Sequence, residues 1–577
     1  MFRLLPYMKK YRLQSVLAPF FKMTEAVFEL FVPLIVAKII DEGIGGNDEA
    51  LIVRYCLLLA LLALAGLALA VAAQFFSARA AVGFASEVRK GLYKKVFSLP
   101  ASESDRLGTN RLITMLTGDV VQLQTGVNMV LRLFMRSPVV VIGAVVMAFI
   151  ADPRGLAGGG LWFLVAVPLL ALAVGGVMIF SIRRYKASRS SVEDLTLELR
   201  ENLSGMRVFR SFGQEEHRKK RFEKMNDAAS RALVRAGRVS ALTGPFTMVI
   251  VDLGIVALLW SGAVSVKAGA LSTGKLIALY NYMTQILIEL IKLANLIVTV
   301  TKSAACADRV GRVLALDASL AKIPPELSGG EEEIAFEHVD LTYPDGTKAL
   351  KDVSFSIGRG QTLGIIGGTG AGKSSVISLI MRYYDPTGGR ILCGGRDLRS
   401  LDESALRARI GLVPQKPELF RGTVAENLRF GDPSADDETL WDALTAADAD
   451  GIVRSKAGGL DAEVEQYGRN FSGGQKQRLT VARALVRRPE ILILDDSFSA
   501  LDYATEAKLK KSLSELSYRP TTVIVSQRAS SLRRADRILV LDEGGQVGLG
   551  THEELYASCP VYREICLSQE SEGGDAQ

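Results

Sequence analysis

The most specific chemistry in this sequence sits in the run Gly367-Gly368-Thr369-Gly370-Ala371-Gly372-Lys373-Ser374, followed by Ser375. The spacing is GxxxxGKS. A β-type run, TLGII, precedes it, and the helical run SSVISLIMRYY follows. Glycines at these places let successive backbone N–H groups wrap a chain of phosphates, Lys373 reaches the β- and γ-phosphates, and the Ser374 hydroxyl holds Mg²⁺. A second carboxylate for that ion is expected at the end of a buried parallel strand. The apolar run ILILDD supplies it as Asp495. Between these two motifs lies FSGGQKQRL, with Ser472, Gly473, Gly474 and Gln475. A turn of small residues opening a helix is a further anion site. One ATP needs one P-loop, so a second phosphate-binding turn implies a facing domain whose ATP it completes.

These motifs lie in the second part of the chain, which is set off by composition. Of 577 residues, 49% are hydrophobic and 23% charged, and the mean hydropathy is +0.22. That excludes a disordered chain, and it suits a membrane part joined to a soluble part. The hydropathy drops after about residue 320. Pro324, Pro325, Gly329 and Gly330 then mark a linker over 321–333, so the expected domains are 1–320 and 334–577. The five cysteines form no CxxC pair, which argues against a disulfide framework or a zinc site.

Six apolar stretches, 16–40, 56–76, 127–151, 156–182, 243–266 and 276–300, each have about the ~20 residues a helix needs to cross a bilayer. Residues 1–320 hold 38 Lys+Arg against 23 Asp+Glu, and residues 321–577 hold 31 against 39. The basic excess is concentrated at the N-terminus and after the second and fourth stretches, including fifteen Lys/Arg between Arg183 and Arg238. The segments after the first and third stretches are short. This is the positive-inside pattern, which places both termini and the second domain in the cytoplasm of a plasma-membrane protein. It accounts for the basic charge without nucleic acid as a partner. No cleavable signal peptide is expected. The long segments after stretches two and four keep a helical spacing of apolar residues, so they read as helical hairpins projecting into the cytoplasm, with breaks near SLPASESDRLGTN and ENLSGMRVFRSF. Inside the stretches, Glu25, Glu29, Arg132, Arg136, Asp252, Glu289 and Lys292 are candidates for ion pairing or for lining a translocation path. Glu289 and Lys292 have the i, i+3 spacing of a pair.

This order of motifs on six spans resembles a half-transporter of the ABC exporters of the type IV, B-family-like fold. The resemblance implies a six-span α-helical transmembrane domain with long cytoplasmic helical hairpins, followed by an α/β P-loop nucleotide-binding domain. ATP and Mg²⁺ are the implied ligands, a second half-transporter the implied partner, and membrane lipid and a small or lipid-like molecule the other contacts. It implies that Tyr343 in VDLTYPDG stacks on adenine, and that Gln415 in GLVPQKPELF touches Mg²⁺ and the membrane-domain contact. Ser499–Asp502 corresponds to the D-loop, and 102–109 and 205–212 to the coupling helices.

Where the family's efficient hydrolases have Glu after the Walker B Asp, this chain has Asp496, one methylene shorter. Displacement of a catalytic group on that scale costs ~10²-fold. The switch position after TTVIVS, usually His, is Gln527, which can hydrogen-bond a γ-phosphate but carries no charge. Gln466 stands where the family usually has Glu upstream of the signature. The pattern resembles the degenerate-site subunit of a heterodimeric exporter, whose signature completes the competent site of a partner with intact Glu and His. Three other readings stand beside it: a homodimer with two slow sites, an importer on the exporter fold, and a membrane protein gated by nucleotide. A soluble ABC ATPase of DNA repair is excluded by the spans.

Overall fold

The computed structural model describes residues 2–152, 160–241, 243–316 and 332–574. Most of the expected linker 321–333, and residues 153–159 after the third apolar stretch, lie outside that description. The chain forms two compact units. One comprises Met1–Phe97 and Asn110–Leu316, the other Ser98–Thr109 and Asp317–Gln577.

The described residues of the first unit are mainly helical. Its long helices are Arg12–Lys38, Glu49–Ser98, Gly160–Ser204, Glu215–Ala241, Thr243–Lys267 and Thr273–Leu314, with a further helical run over Thr109–Ala151. Four helical runs among the described residues are long and apolar enough to cross a membrane: Glu49–Ser98, Thr109–Ala151, Met248–Lys267 and Thr273–Leu314. Helices also cover the described parts of the other two expected spans, and the first of these, Arg12–Lys38, carries Lys22, Glu25 and Glu29 within it. The helix Glu49–Ser98 has 50 residues. At 1.5 Å per residue it is roughly 75 Å long, far more than the ~30 Å of hydrocarbon. Gly160–Ser204, with 45 residues, overshoots in the same way. These lengths agree with the expected hairpins, whose breaks fall at short helices, Ala101–Leu107 and Met206–Ser211.

Helix packing in this unit uses small residues. Ala26, Ala144, Ala148 and Ala278 are completely buried beside Leu279, Met283 and Ile286. Lipid tails are as apolar as leucine, so close backbone approach is what holds such helices together. The closest approach joins Gly126 to the helix Thr273–Leu314. The Ser303 hydroxyl crosses to the carbonyl of Gln122 at 2.8 Å, and a Cβ added at Gly126 would lie 2.2 Å from that hydroxyl oxygen.

The second unit is built on a mixed sheet. Its strands are β1 Glu332–Thr342, β2 Lys348–Gly358, β3 Thr362–Gly367, β4 Gly388–Cys393, β5 Arg396–Asp397, β6 Ile410–Val413, β9 Ile491–Asp495, β10 Thr521–Val525, β11 Arg537–Asp542 and β12 Gly545–Gly550, in the order β5-β4-β1-β2-β12-β11-β3-β10-β9-β6. A separate pair is formed by β7 Gly422–Thr423 and β8 Glu463–Val464. The centre, β11-β3-β10-β9-β6, is parallel. Parallel strands are covered on both faces, which is why β9 reads as an unbroken apolar run. Ile491 and Ile493 enter one core, and Leu492 and Leu494 the other, as the two-residue period of a strand requires.

The sequence placed the whole of 1–320 in one domain. In the fold the tip Ser98–Thr109, expected as a coupling helix, packs with the second unit. Tyr384 donates its hydroxyl to Asp105 Oδ2 at 2.7 Å there. That contact joins residues far apart in the chain, so hydropathy could not report it.

Replacing Gly126 by Val should destabilise the first unit by about 1–3 kcal/mol through overpacking, seen as a lower melting temperature in detergent. Adding Ser303→Gly should recover part of the loss, because it vacates the space the new side chain needs.

Candidate functional site

Four neighbouring parallel strands deliver the site from one edge of the sheet. β3 runs into the P-loop, β6 ends two residues before Gln415, β9 ends at Asp495, and β10 leads to Ser526 and Gln527. Ligands of open parallel sheets bind beyond the carboxyl ends of the strands.

The P-loop has the backbone that its glycines suggest. Gly370 and Gly372 have φ of +84° and +96°, a region that costs an L-residue roughly 1–2 kcal/mol. A Cβ at Gly372 would also lie 2.7 Å from the carbonyl oxygen of Ala349. Nothing stands within 4 Å of the Cβ positions of Gly368 and Gly370, so the loop presents an open cradle. The helix Lys373–Ile380 starts at its rim. Lys373 Nζ donates to the carbonyls of Gly367 and Gly368 at 2.8 and 2.7 Å. Burial lowers the pKa of its ammonium, while the charges of Asp496 and Asp495 act in the opposite sense. The Asp495 carboxyl is pushed up, first by burial and then by the neighbouring Asp496. Two carboxylates side by side, next to one lysine, favour a further cation. Ser374, exposed at the start of the helix, and Asp495 are the residues that would hold Mg²⁺. When bound, that ion neutralises charge on the β- and γ-phosphates.

Asp496 adopts φ +46°, in the left-handed region where Asp and Asn are enriched. Its N–H donates to the carbonyl of Val525 at 2.9 Å, which ties β9 to β10. Gln415 Nε2 donates to Asp496 Oδ2 at 3.3 Å. The structure therefore brings together Gln415, Asp495, Asp496 and Lys373. Tyr343 is half-buried, with its hydroxyl 3.0 Å from that of Ser375 and its ring edge-on to Tyr384 at 5.0 Å between centroids. Thr369 and Ala371 complete the loop, and Ala371 is buried beneath it.

Ser472 and Gln475 form a capping box on the helix Gly473–Leu485. Gln475 Oε1 accepts from the Ser472 N–H at 3.0 Å, and the Ser472 hydroxyl accepts from the Gln475 N–H at 3.4 Å. The Gln475 side chain thus shapes the turn, and nothing stands within 4 Å of the Cβ position of Gly473, while that of Gly474 lies 3.3 Å from the carbonyl oxygen of Ala500. Among the described residues no hydrogen bond or ion pair joins this turn to the chain's own P-loop.

Two contacts at the switch were not foreseen. Gln569 Nε2 donates to the carbonyl of Gln527 at 2.7 Å, and Gln569 Oε1 accepts from the Ala529 N–H at 2.9 Å. One side chain from the helix Pro560–Gly574 thereby holds the backbone on both sides of Arg528 and leaves the Gln527 side chain exposed. Glu506, on the helix after Asp502, accepts from the Ser531 hydroxyl at 2.6 Å and from Lys510 at 2.5 Å, with Arg528 at 3.6 Å. No local signal distinguishes Gln569 or Glu506 from surface helix residues.

A P-loop ATPase domain joined to a bundle of membrane-length helices defines a membrane protein driven by ATP. Comparison with known proteins agrees. The family description "ABC transporter transmembrane region" matches residues 15–290, and "ABC transporter" matches residues 350–499. An uncharacterised ABC transporter ATP-binding protein of Mycobacterium tuberculosis is 36% identical, over 98% of this chain and 97% of its own length. A fatty acid ABC transporter ATP-binding/permease protein of Mycobacterium bovis is 34% identical, over 83% of this chain and 75% of its own. The structure of a bacterial Atm1-family ABC exporter with ATP bound superposes with a TM-score of 0.81 at 22% identity, covering 97% and 98% of the two chains. The chain belongs to the ABC transporters. It has the exporter-type fold and couples ATP hydrolysis to transport.

Replacing Gln569 by Leu removes both bonds to the switch, each worth about 1 kcal/mol net. Amide exchange over 526–530 should accelerate about tenfold or more, read by deuterium uptake of the peptide that spans the switch.

Proposed function

We propose that this chain is the slow-site subunit of a heterodimeric exporter in the plasma membrane, with its nucleotide-binding domain in the cytoplasm, and that it moves an amphipathic or lipophilic compound. The observation that carries this reading is the pairing of an intact P-loop and capped signature turn with Asp496 and Gln527 at the two catalytic positions. Lys373, Ser374, Asp495 and Gln415 hold MgATP, and Tyr343 contacts the base. Asp496 is short for positioning a water, and Gln527 offers no positive charge to a leaving γ-phosphate. Ser472, Gly473 and Gly474 then serve the partner's ATP, where Glu and His supply what this chain lacks. The tips 102–109 and 205–212 transmit the nucleotide state to the membrane helices. The bond between Tyr384 and Asp105 supports the first of these. The fatty-acid relative supports an amphipathic cargo.

The two sites can be separated by mutation of the complex. Ser472→Arg should remove most turnover, tenfold or more, because it breaks the turn that completes the competent site. Asp496→Asn should change turnover less than about threefold, since its carboxylate belongs to the slow site. Equal losses point to a symmetric enzyme.

Nucleotide retention gives the second test. After washing, the wild-type complex should keep ATP, unhydrolysed, at this chain's P-loop. Asp496→Glu with Gln527→His should shorten retention and yield ADP there. Predominantly ADP from the wild type, with fast exchange, would defeat the slow-site reading.

A further inference from the structure

Within the first unit, a pocket of about 450 Å³ is lined by Lys22, Ala70, Val71, Gln74, Phe75 and Arg132. Its volume is in the ordinary range for small-molecule sites. Its walls are apolar apart from Lys22, Gln74 and Arg132. Its charges are unequal in a specific way. Lys22 pairs with Glu25 at 2.6 Å. Arg136, buried, binds Glu29 at 2.5 Å and also Glu289, and Glu289 accepts further bonds from Ser137 at 3.0 Å and Lys292 at 2.8 Å. In this cluster four cations face three carboxylates, and among the described residues Arg132 makes no ion pair. A guanidinium without a carboxylate partner is open to an anionic ligand.

The backbone is irregular at the same residue, as it is at two other π-turns of this unit, Ile39–Ile44 and Met115–Asp119. Arg132 lies in a π-turn, Val130–Phe134, interrupting the α-helical run Thr109–Ala151. Such turns cluster at functional sites. The level of the pocket follows from helix rise. From Ala151 to Arg132 is ~28 Å, and from Lys38 to Lys22 is ~24 Å, at 1.5 Å per residue. Both are close to the ~30 Å of hydrocarbon, counted from the end of the bundle away from the Lys/Arg-rich segments. The pocket thus lies near the edge of the apolar slab on the side of the basic segments, the inward side by the positive-inside rule. A molecule there can place a charged head at the interface and an apolar body in the slab.

We propose that this pocket admits an amphiphile with one anionic head, a carboxylate or phosphate monoester, from the inner leaflet. Arg132 pairs with the head, Gln74 donates to it, and Val71 and Phe75 cover the start of the apolar chain. The proposal deepens the exporter reading, on which its role as an entry site rests, by giving the cargo a charge. The neutralised pairs around Arg136 keep the remainder of the cluster from competing for the anion, so that selection falls to Arg132.

The test uses the full-length transporter in nanodiscs of phosphatidylcholine, titrated with spin-labelled stearic acid and with its methyl ester. The acid should bind the wild type at least tenfold more tightly than the ester. Arg132→Gln should weaken the acid about tenfold without changing the ester, and Arg132→Lys should keep the acid within about threefold of the wild type. Equal binding of acid and ester, equal losses of both in Arg132→Gln, or no binding of the acid overturns the proposal. Displacement of the probe by lysophosphatidic acid alone assigns a single-chain amphiphile. Displacement by phosphatidylglycerol as well assigns the bilayer's own lipid, and the anionic chemistry of the site stands in both cases. ATP-driven export of a neutral lipophile that persists in Arg132→Gln while the acid fails to bind would remove this site and leave the exporter reading in place.

Discussion

A polyphosphate can be gripped only where several backbone amides converge and a cation balances the carboxylates that hold its metal. That constraint organises the second unit. Convergence requires Gly370 and Gly372 in the left-handed region and a helix that begins at the loop. Balance requires Asp495 and Asp496 beside Lys373, two like charges that stay together because a lysine and a metal answer them. Only a parallel sheet brings the ends of β3, β6, β9 and β10 to one edge, so the requirement at the site extends into the apolar runs that bury the sheet on both faces.

The site's main parts were legible in the sequence because each is local. Gly367–Ser374 and Ser472–Gln475 do their work over a few residues, and their types and spacing encode the turn directly. Asp495 was legible because a buried parallel strand leaves an unbroken apolar run before it. Gln475 was legible as part of a motif, but its capping role depends on a rotamer. What the sequence missed is long-range. Gln569 reaches the switch from a separate helix, Glu506 binds Ser531 across a loop, and Asp105 meets Tyr384 from the far end of a hairpin. Periodicity identifies each helix and says nothing about which of its polar residues finds a distant partner.

The membrane half shows the same division. Hydropathy located the helices, and the i, i+3 spacing of Glu289 and Lys292 foresaw their pair. Arg136 was foreseen only as a candidate. Its burial between Glu29 and Glu289 comes from three helices packed through small residues, and only the packed bundle shows that these pairs neutralise one another and leave Arg132 over.

The bond between Gln569 and Gln527 also has a consequence in time. The two residues are 42 apart in the chain. A ribosome adding roughly 5–20 residues per second makes the switch about 2–8 s before the side chain that fixes it. During that interval the P-loop, both aspartates and β10 already exist, and the nascent domain can begin to bury its sheet. The switch backbone lacks its bonds to Gln569 until the helix Pro560–Gly574 docks. Nucleotide can meet a cradle before it meets a finished site, so the order of synthesis itself separates holding ATP from acting on it.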